Sequence, residues 1–371
     1  MKKALKKILA FVFALFMFFV GICLGLFLVS NLSSGADGIA NLLESLVALI
    51  LAYNIVIIVH EGGHLVFGLL TGYGFSSFRI WSFMLVKQEG IIKLRRFSLA
   101  GTGGQCLMTP PEQGDTKASV ILYNLGGVIF NLVLTAVTFI VYLILPEIFL
   151  LSKFLWYTAI WSLIIMLSNG IPINAGGIAN DGMNALHLSK NPDAAEAFRK
   201  QLLMNASQTE GARISEMPDE WFTLPNGADM QNVHCASLAV FAAQRTLDRG
   251  DLAAAEQEIS SLLNSSYNII GLHRNLLTCD LIYCRLSIDQ SANVSSLITP
   301  ELKKIMQSMK KYPSVIRTQF VIALLVDKDD KKTENILASF DKQTKNFPYQ
   351  QEVDSERKLM LEILEKTKNA I

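Results

Sequence analysis

His60-Glu61-Gly62-Gly63-His64 sits inside an apolar run, Leu46 to Leu70, long enough to cross a bilayer. Ionisable side chains at membrane depth are costly, and where they occur they mark function by default. Histidines at i and i+4 fall on one helix face and can share a metal ion. Glu61 lies at the edge of that face, where it can reach a water beside the metal without ligating it. The spacing therefore implies a zinc half-site with a general base next to it, carried on a membrane-spanning helix. A catalytic zinc takes three protein ligands and keeps an open position, so the rest of the chain must supply a third ligand. The bland alternative is a buried His/Glu cluster that only packs. Against it, three ionisable groups in an apolar helix need partners, and zinc supplies them.

Composition places the motif in a membrane protein with a second, polar half. The chain has 371 residues, of which 51% are hydrophobic and 18% charged, with mean hydropathy +0.35. Charge is scarcer than the ~25% usual for soluble domains, and the apolar excess lies before Asn180. A net charge of +1 argues against nucleic-acid binding by bulk attraction. The five cysteines are scattered without a C-x-x-C pair, so neither a disulfide framework nor a cysteine zinc site is indicated.

Met1 to Lys7 carries four lysines and precedes an apolar run, Ile8 to Val29, too long for a signal-peptide core. It reads as a first span with a cytoplasmic N-terminus, since the loop from Asn31 to Gly38 has no Lys or Arg. The predicted spans are about 8–30, 42–70, 118–145 and 148–170. Between the second and third, Phe75 to Val86 and Ile91 to Leu99 read as β segments around a Lys87–Gly90 turn. Gly101 to Gly104 and Pro110-Pro111 read as further turns. Arg79, Lys87, Lys93, Arg95, Arg96 and Lys117 place this loop on the cytoplasmic side. Two uses are open to it: a mere connector, or a sheet edge that takes up an extended substrate by strand addition.

Asn124 and Asn131 in the third span read as interhelical hydrogen-bonding residues. Lys153, near the outer end of the fourth, can snorkel. That fourth span ends in Asn169-Gly170-Ile171-Pro172, followed by Ile173 to Asn180 and then Asp181-Gly182. Gly and Pro this dense leave irregular backbone, tolerated at membrane depth only where it is buried in protein or lines a cavity. Spans two and four run the same way, so His60, His64 and Asp181 emerge on the same side. Asp181 is the acidic residue placed to be the third ligand, and Asn169 is a polar group that could hold an oxyanion.

Beyond Gly182 the sequence turns polar and helical. Ser207 to Gln231 reads as a long loop, and amphipathic helices recur in pairs from His234 on. Tyr312-Pro313 and Phe347-Pro348 lie 35 residues apart, near the ~34-residue period of tetratricopeptide hairpins. His187, His234 and His273 are isolated and read as ordinary surface or core histidines.

The two motifs together resemble the site-2 protease family of intramembrane metallopeptidases, which carries an H-E-x-x-H and an N-x-x-P…D-G motif. The resemblance covers roughly residues 40 to 185. It implies His60, His64 and Asp181 as zinc ligands and Glu61 as the catalytic base. It further implies Asn169, Pro172 and Gly182 as residues that shape the substrate loop. Gly127 and Asn131 resemble a Gly…Asn signature of an intervening span, with Val128 where Pro is common. Eight residues separate Pro172 from Asp181, more than the family's short gap, and Gly176-Gly177 could absorb the extra length.

The expected architecture is mainly α: a polytopic membrane protein of about four spans with a β-hairpin-rich, cytoplasmic or membrane-associated loop, then a soluble tetratricopeptide-like domain. The divisions are 1–182 for the membrane part, 183–232 for a linker and helix, and 233–371 for the helical domain. The expected activity is zinc-dependent cleavage, one Zn2+ per chain, of membrane-spanning or membrane-associated substrates near the cytoplasmic face. The expected setting is a bacterial plasma membrane with both termini cytoplasmic. The competing reading is a membrane-anchored adaptor whose helical repeats bind a cytosolic protein and whose zinc site is structural or vestigial. A transporter is disfavoured, because four spans offer no repeat symmetry.

Overall fold

The structure, a computed structural model, describes residues 21, 36–97, 102–111, 117–146, 148–175 and 178–369. The predicted first span, apart from Gly21, lies outside the described residues. Among the described residues, three helices are long and apolar enough to cross a membrane. They are α1 (Ala36–Leu70), α2 (Lys117–Ile144) and α3 (Phe149–Gly170). Their packing is the reverse of a soluble bundle. Ile50, Leu51, Leu132, Val133, Val137 and Leu143 face outward, whereas His60, His64, Asn124 and Asn131 are buried. Such a surface suits lipid rather than water.

Small residues set the helix contacts. Ala48, Ala52 and Val56 recur every four residues on α1, are fully buried and let Tyr157 of α3 approach. At the end far from the histidines, Lys153 Nζ reaches Glu44 Oε2 at 3.2 Å and Asn41 Oδ1 at 3.3 Å. Lys153 thus clamps α3 to α1 by an ion pair.

After α1 comes an antiparallel sheet of order β3-β2-β1-β4, with β1 Gly74–Ile80, β2 Phe83–Gln88, β3 Ile91–Arg96 and β4 Gly104–Thr109. The expected single segment Phe75 to Val86 is therefore two strands, and β4 occupies a stretch expected only to turn. The chain reverses at Trp81, whose φ of 52° lies in the left-handed region. Its indole donates to Asn54 Oδ1 at 2.7 Å, and that anchor holds a conformation few L-residues adopt. Asn54 precedes His60 by six residues, about 9 Å along a helix. The β1–β2 turn therefore lies alongside the middle of α1, and the sheet is not confined to the membrane surface. Phe83, Leu85 and Leu94 form an exposed apolar face on it, a surface suited to lipid. The other end of the β2–β3 hairpin meets the polar half: Gln88 Nε2 donates to the Pro348 carbonyl at 3.1 Å, and the Glu89 N–H to Glu210 Oε2 at 2.7 Å.

α3 is followed by a two-stranded hairpin, β5 (Asn174–Ala175) with β6 (Ile178–Ala179), then α4 (Asp181–Leu188) and α5 (Pro192–Glu210). α5 runs through the first part of the expected 207–231 loop, and the rest contains two short 3-10 turns, Ile214–Glu216 and Asp219–Phe222. One apolar core joins the halves, with Val120 of α2 packed among Leu188, Ala197, Met204 and Cys235.

The remaining helices are α6 (Val233–Asp248), α7 (Leu252–Asn264), α8 (Gly271–Ile288), α9 (Pro300–Ser308), α10 (Pro313–Val321), α11 (Asp330–Thr344) and α12 (Gln350–Asn369). Asn191, Asn232, Asp251, Thr299 and Asp329 each cap the helix that follows by accepting a backbone N–H. These helices share a second core, at whose centre Arg317 is fully buried. Its Nη2 reaches Asp280 Oδ1 at 2.5 Å and its Nη1 reaches Glu356 Oε2 at 2.9 Å. Three charges can stay buried there only because each has a partner.

Candidate metal centre

α1 presents His60, Glu61 and His64 within about one helical turn, all of them buried. Asp181 arrives as the first residue of α4. Asp181 Oδ2 lies 3.1 Å from His60 Nε2 and 3.4 Å from His64 Nε2, and the two Nε2 atoms are 3.3 Å apart. The only group of three or more candidate metal ligands among the described residues is this one.

Proton positions show what the cluster is built to hold. His64 Nδ1 is 2.8 Å from the Tyr123 carbonyl oxygen. A carbonyl only accepts, so the proton sits on Nδ1 and the Nε2 lone pair points at Asp181. His60 Nδ1 is 3.1 Å from the side-chain amide of Asn131, whose Oδ1 is buried without a hydrogen-bond partner. A half-turn of that amide lets Oδ1 accept from Nδ1–H, which removes the orphan and bares His60 Nε2 as well. Asp181 Oδ2 is likewise buried without a hydrogen bond. Three lone pairs converging within 3.4 Å call for a cation between them. Donor atoms of a tetrahedral zinc with ~2.0–2.1 Å bonds lie roughly 3.3–3.4 Å apart, so the donor set fits zinc in both chemistry and span.

The surroundings hold the donors in place. The far ring nitrogens of both histidines are engaged, the arrangement that fixes tautomer and ring angle in metal sites. The Asn131 carbonyl accepts from Ser162 Oγ of α3 at 2.8 Å, so the residue behind His60 is itself tied to a third helix. Asn131→Ala is expected to lower zinc affinity about 10–100-fold while leaving the fold intact, read by competition with a chelating dye. Unchanged affinity would mean that Asn131 only packs. Gly182 lies where a Cβ would collide with the Gly170 carbonyl, so α4 can approach the end of α3 only with glycine there.

Asn180 went unread in the sequence and organises the third ligand. Its Nδ2 donates to the Ser168 and Ile171 carbonyls at 2.7 and 2.6 Å, and its Oδ1 accepts from the N–H groups of Ile173 and Met183 at 3.1 and 3.0 Å. One side chain thus ties the end of α3, the β5–β6 hairpin and the start of α4. The long Pro172–Asp181 gap folds out as that hairpin and returns Asp181 to the histidines. An Asn directly before a helix-opening Asp-Gly is a capping signal, and it was the available clue. Asn169 turns its amide back onto the Ile165 carbonyl of its own helix at 3.1 Å, and Pro172 is exposed. Among the described residues, no hydrogen bond or ion pair joins either to the three donors.

Glu61 projects to the side, over Gly104. A Cβ at Gly104 would clash with the Glu61 carboxylate, so the first residue of the sheet's edge strand lies directly against it. Arg79 supports that contact. It is 1% exposed, and it donates to the Trp81 carbonyl at 2.8 Å, Thr102 Oγ1 at 2.5 Å and the Gly104 carbonyl at 3.3 Å. Arg79, expected from the sequence to mark the cytoplasmic side of the loop, is a buried strut beneath Glu61.

Apolar helices carrying a His2Asp group, both histidines buried, with a carboxylate alongside describe a membrane protein with a candidate metal site. A family model described as peptidase family M50 matches residues 48–326, most of the chain, and the protein belongs to that family, the site-2 proteases. Membership implies a peptidase. No curated protein and no solved structure matches the chain.

Proposed function

We propose that the protein is a zinc-dependent intramembrane endopeptidase, with one Zn2+ per chain held by His60, His64 and Asp181. The observation that carries this reading is the convergence of His60 Nε2, His64 Nε2 and Asp181 Oδ2 within 3.4 Å, with Glu61 buried one residue from the first histidine. Bound zinc supplies Lewis acidity and brings the pKa of a water to ~7. Glu61 accepts the proton of the attacking water and passes it to the leaving amine. Tyr123 and Asn131 hold the imidazoles, and Asn180 holds the loop that presents Asp181. β4 forms the sheet edge beside Glu61, so an extended substrate segment adding to it would bring a peptide bond to the base.

The substrates on this reading are membrane-spanning or membrane-associated proteins cut near the cytoplasmic face of a bacterial plasma membrane. The C-terminal helices, as tetratricopeptide-like hairpins, would recruit a cytosolic partner or the substrate itself. A membrane-anchored adaptor has no use for a buried carboxylate beside a metal donor set, and Glu61 favours the enzyme. Asp181→Ala tests the reading. Comparative membrane proteomics of cells carrying wild type or variant should show at least one spanning protein that accumulates uncut in the variant, which should also lose zinc. Identical proteomes, or a variant that keeps zinc, would sink the assignment.

A further inference from the structure

A cavity of about 240 Å³ lies among the helices of the polar half, beside Phe97 at the end of β3. None of the metal donors and none of the residues already assigned to chemistry lines it. Drug-sized pockets run to ~300–1,000 Å³, so this one suits a single long side chain or a small molecule of that size. One wall is aromatic. Phe97, which follows β3, packs against Tyr312 and Phe347 with ring centroids 5.9 and 5.6 Å apart, and Tyr349 packs on Phe347 at 5.8 Å.

The rest of the lining carries charge. Arg213 pairs with Asp248 at 2.8 Å, and Arg317 is shared between Asp280 and Glu356. Terminal nitrogens of two guanidinium groups are thereby engaged by three carboxylates. Glu352 also lines the cavity and has no hydrogen bond or ion pair among the described residues. Burial, with Glu356 and Asp280 adding repulsion, pushes its carboxyl up to about 8. Three nitrogens of the lining lack hydrogen-bond partners: Arg213 Nε, Arg317 Nε, on a fully buried side chain, and His273 Nδ1. Gln351 lines the cavity and is itself exposed, so the space opens to solvent.

We propose that this cavity binds an organic cation, an alkylammonium or guanidinium group, seated between the Glu352 carboxylate and the aromatic rings. With Glu352 ionised the lining holds four carboxylates against two guanidinium groups, so an entering cation supplies the charge that keeps Glu352 ionised, and aromatic rings beside a carboxylate suit a desolvated cation. Such a group is offered by a lysine or arginine side chain of a protein segment, or by a free amine. An occupant would touch Phe97 at the end of β3 and the helices together, and so would bridge the sheet to the polar half. The proposal does not depend on the peptidase reading, because binding is measured without cleavage.

Isothermal titration calorimetry on the full chain in nanodiscs tests it with four probes: n-butylguanidinium, neutral 1-pentanol, a lysine-containing decapeptide, and the same peptide with norleucine for lysine. Binding of the cation or of the lysine peptide, without binding of its neutral counterpart, supports the site. Which of the two binds tells a free amine from a protein side chain. Glu352→Gln should weaken binding at least tenfold, and it leaves no partner stranded because the carboxylate has none. Phe97→Leu, in the aromatic part of the lining, should weaken it about threefold. Equal binding of the neutral probes, unchanged affinity in Glu352→Gln, or no heat from any probe overturns the proposal.

Discussion

Replacing Glu61 with Gln is expected to lower peptide hydrolysis by about 10²–10⁴-fold, the usual worth of a positioned general base, while zinc stays at one per chain. The amide keeps the shape of the carboxylate over Gly104 but cannot take a proton. Zinc retention follows from geometry, because the converging donors are His60 Nε2, His64 Nε2 and Asp181 Oδ2, and Glu61 is not among them. Single-turnover cleavage in reconstituted membranes, alongside zinc measured by mass spectrometry, separates the outcomes. A variant that still cleaves at the wild-type rate removes Glu61 from the chemistry. One that loses zinc along with activity makes it a ligand or a structural residue instead.

Gly127→Ala carries the second large effect, and no donor atom is altered by it. A Cβ at this position would lie 2.6 Å from His60 Cε1 and 2.7 Å from both His60 Nδ1 and His64 Nε2. Both imidazoles must move, and neither can do so freely, since Tyr123 and Asn131 hold their far nitrogens. Overpacking alone costs about 1–3 kcal/mol, but a displacement near 1 Å at a reacting centre costs roughly 10²-fold in rate. The variant is expected to bind zinc at least tenfold more weakly and to cleave about 10²-fold more slowly, with helix content unchanged by circular dichroism. Gly62→Ala is the matched control. Nothing lies within 4 Å of a Cβ there, so its zinc affinity should equal the wild type's. Equal zinc affinity in both variants would show that the α2 backbone does not confine the histidines.

Much of this architecture could be read from residue order. The long apolar runs gave α1, α2 and α3 within a few residues, because a helix that must satisfy every backbone group in lipid has a length and composition that show in the chain. The His60, Glu61 and His64 spacing named the chemistry for the same local reason: three positions on one turn are neighbours whatever else folds around them. The β region was read less well. Gly104 to Thr109 looked like part of a run of turns, since glycines precede it and Pro110-Pro111 follow. It is a strand because β1 pairs with it from Gly74 to Ile80, a contact no local pattern encodes. The reversal at Trp81 was missed for a similar reason. It depends on an indole reaching Asn54, 27 residues earlier in the chain.

The sequence by itself determined a helical membrane protein with two histidines and a glutamate together on one apolar helix, because those features rest on periodicity within single elements. Tertiary structure alone decided the rest. Asp181 joins the histidines because Asn180 folds the Pro172–Asp181 stretch into a hairpin. The histidines keep their ligand lone pairs inward because a backbone carbonyl of Tyr123 and an amide of Asn131 stand behind them. Glu61 is set by a glycine at a sheet edge braced by Arg79. Each of these depends on atoms brought together from distant parts of the chain, where a hydrogen bond is decided by distance and angle rather than by spacing in the sequence.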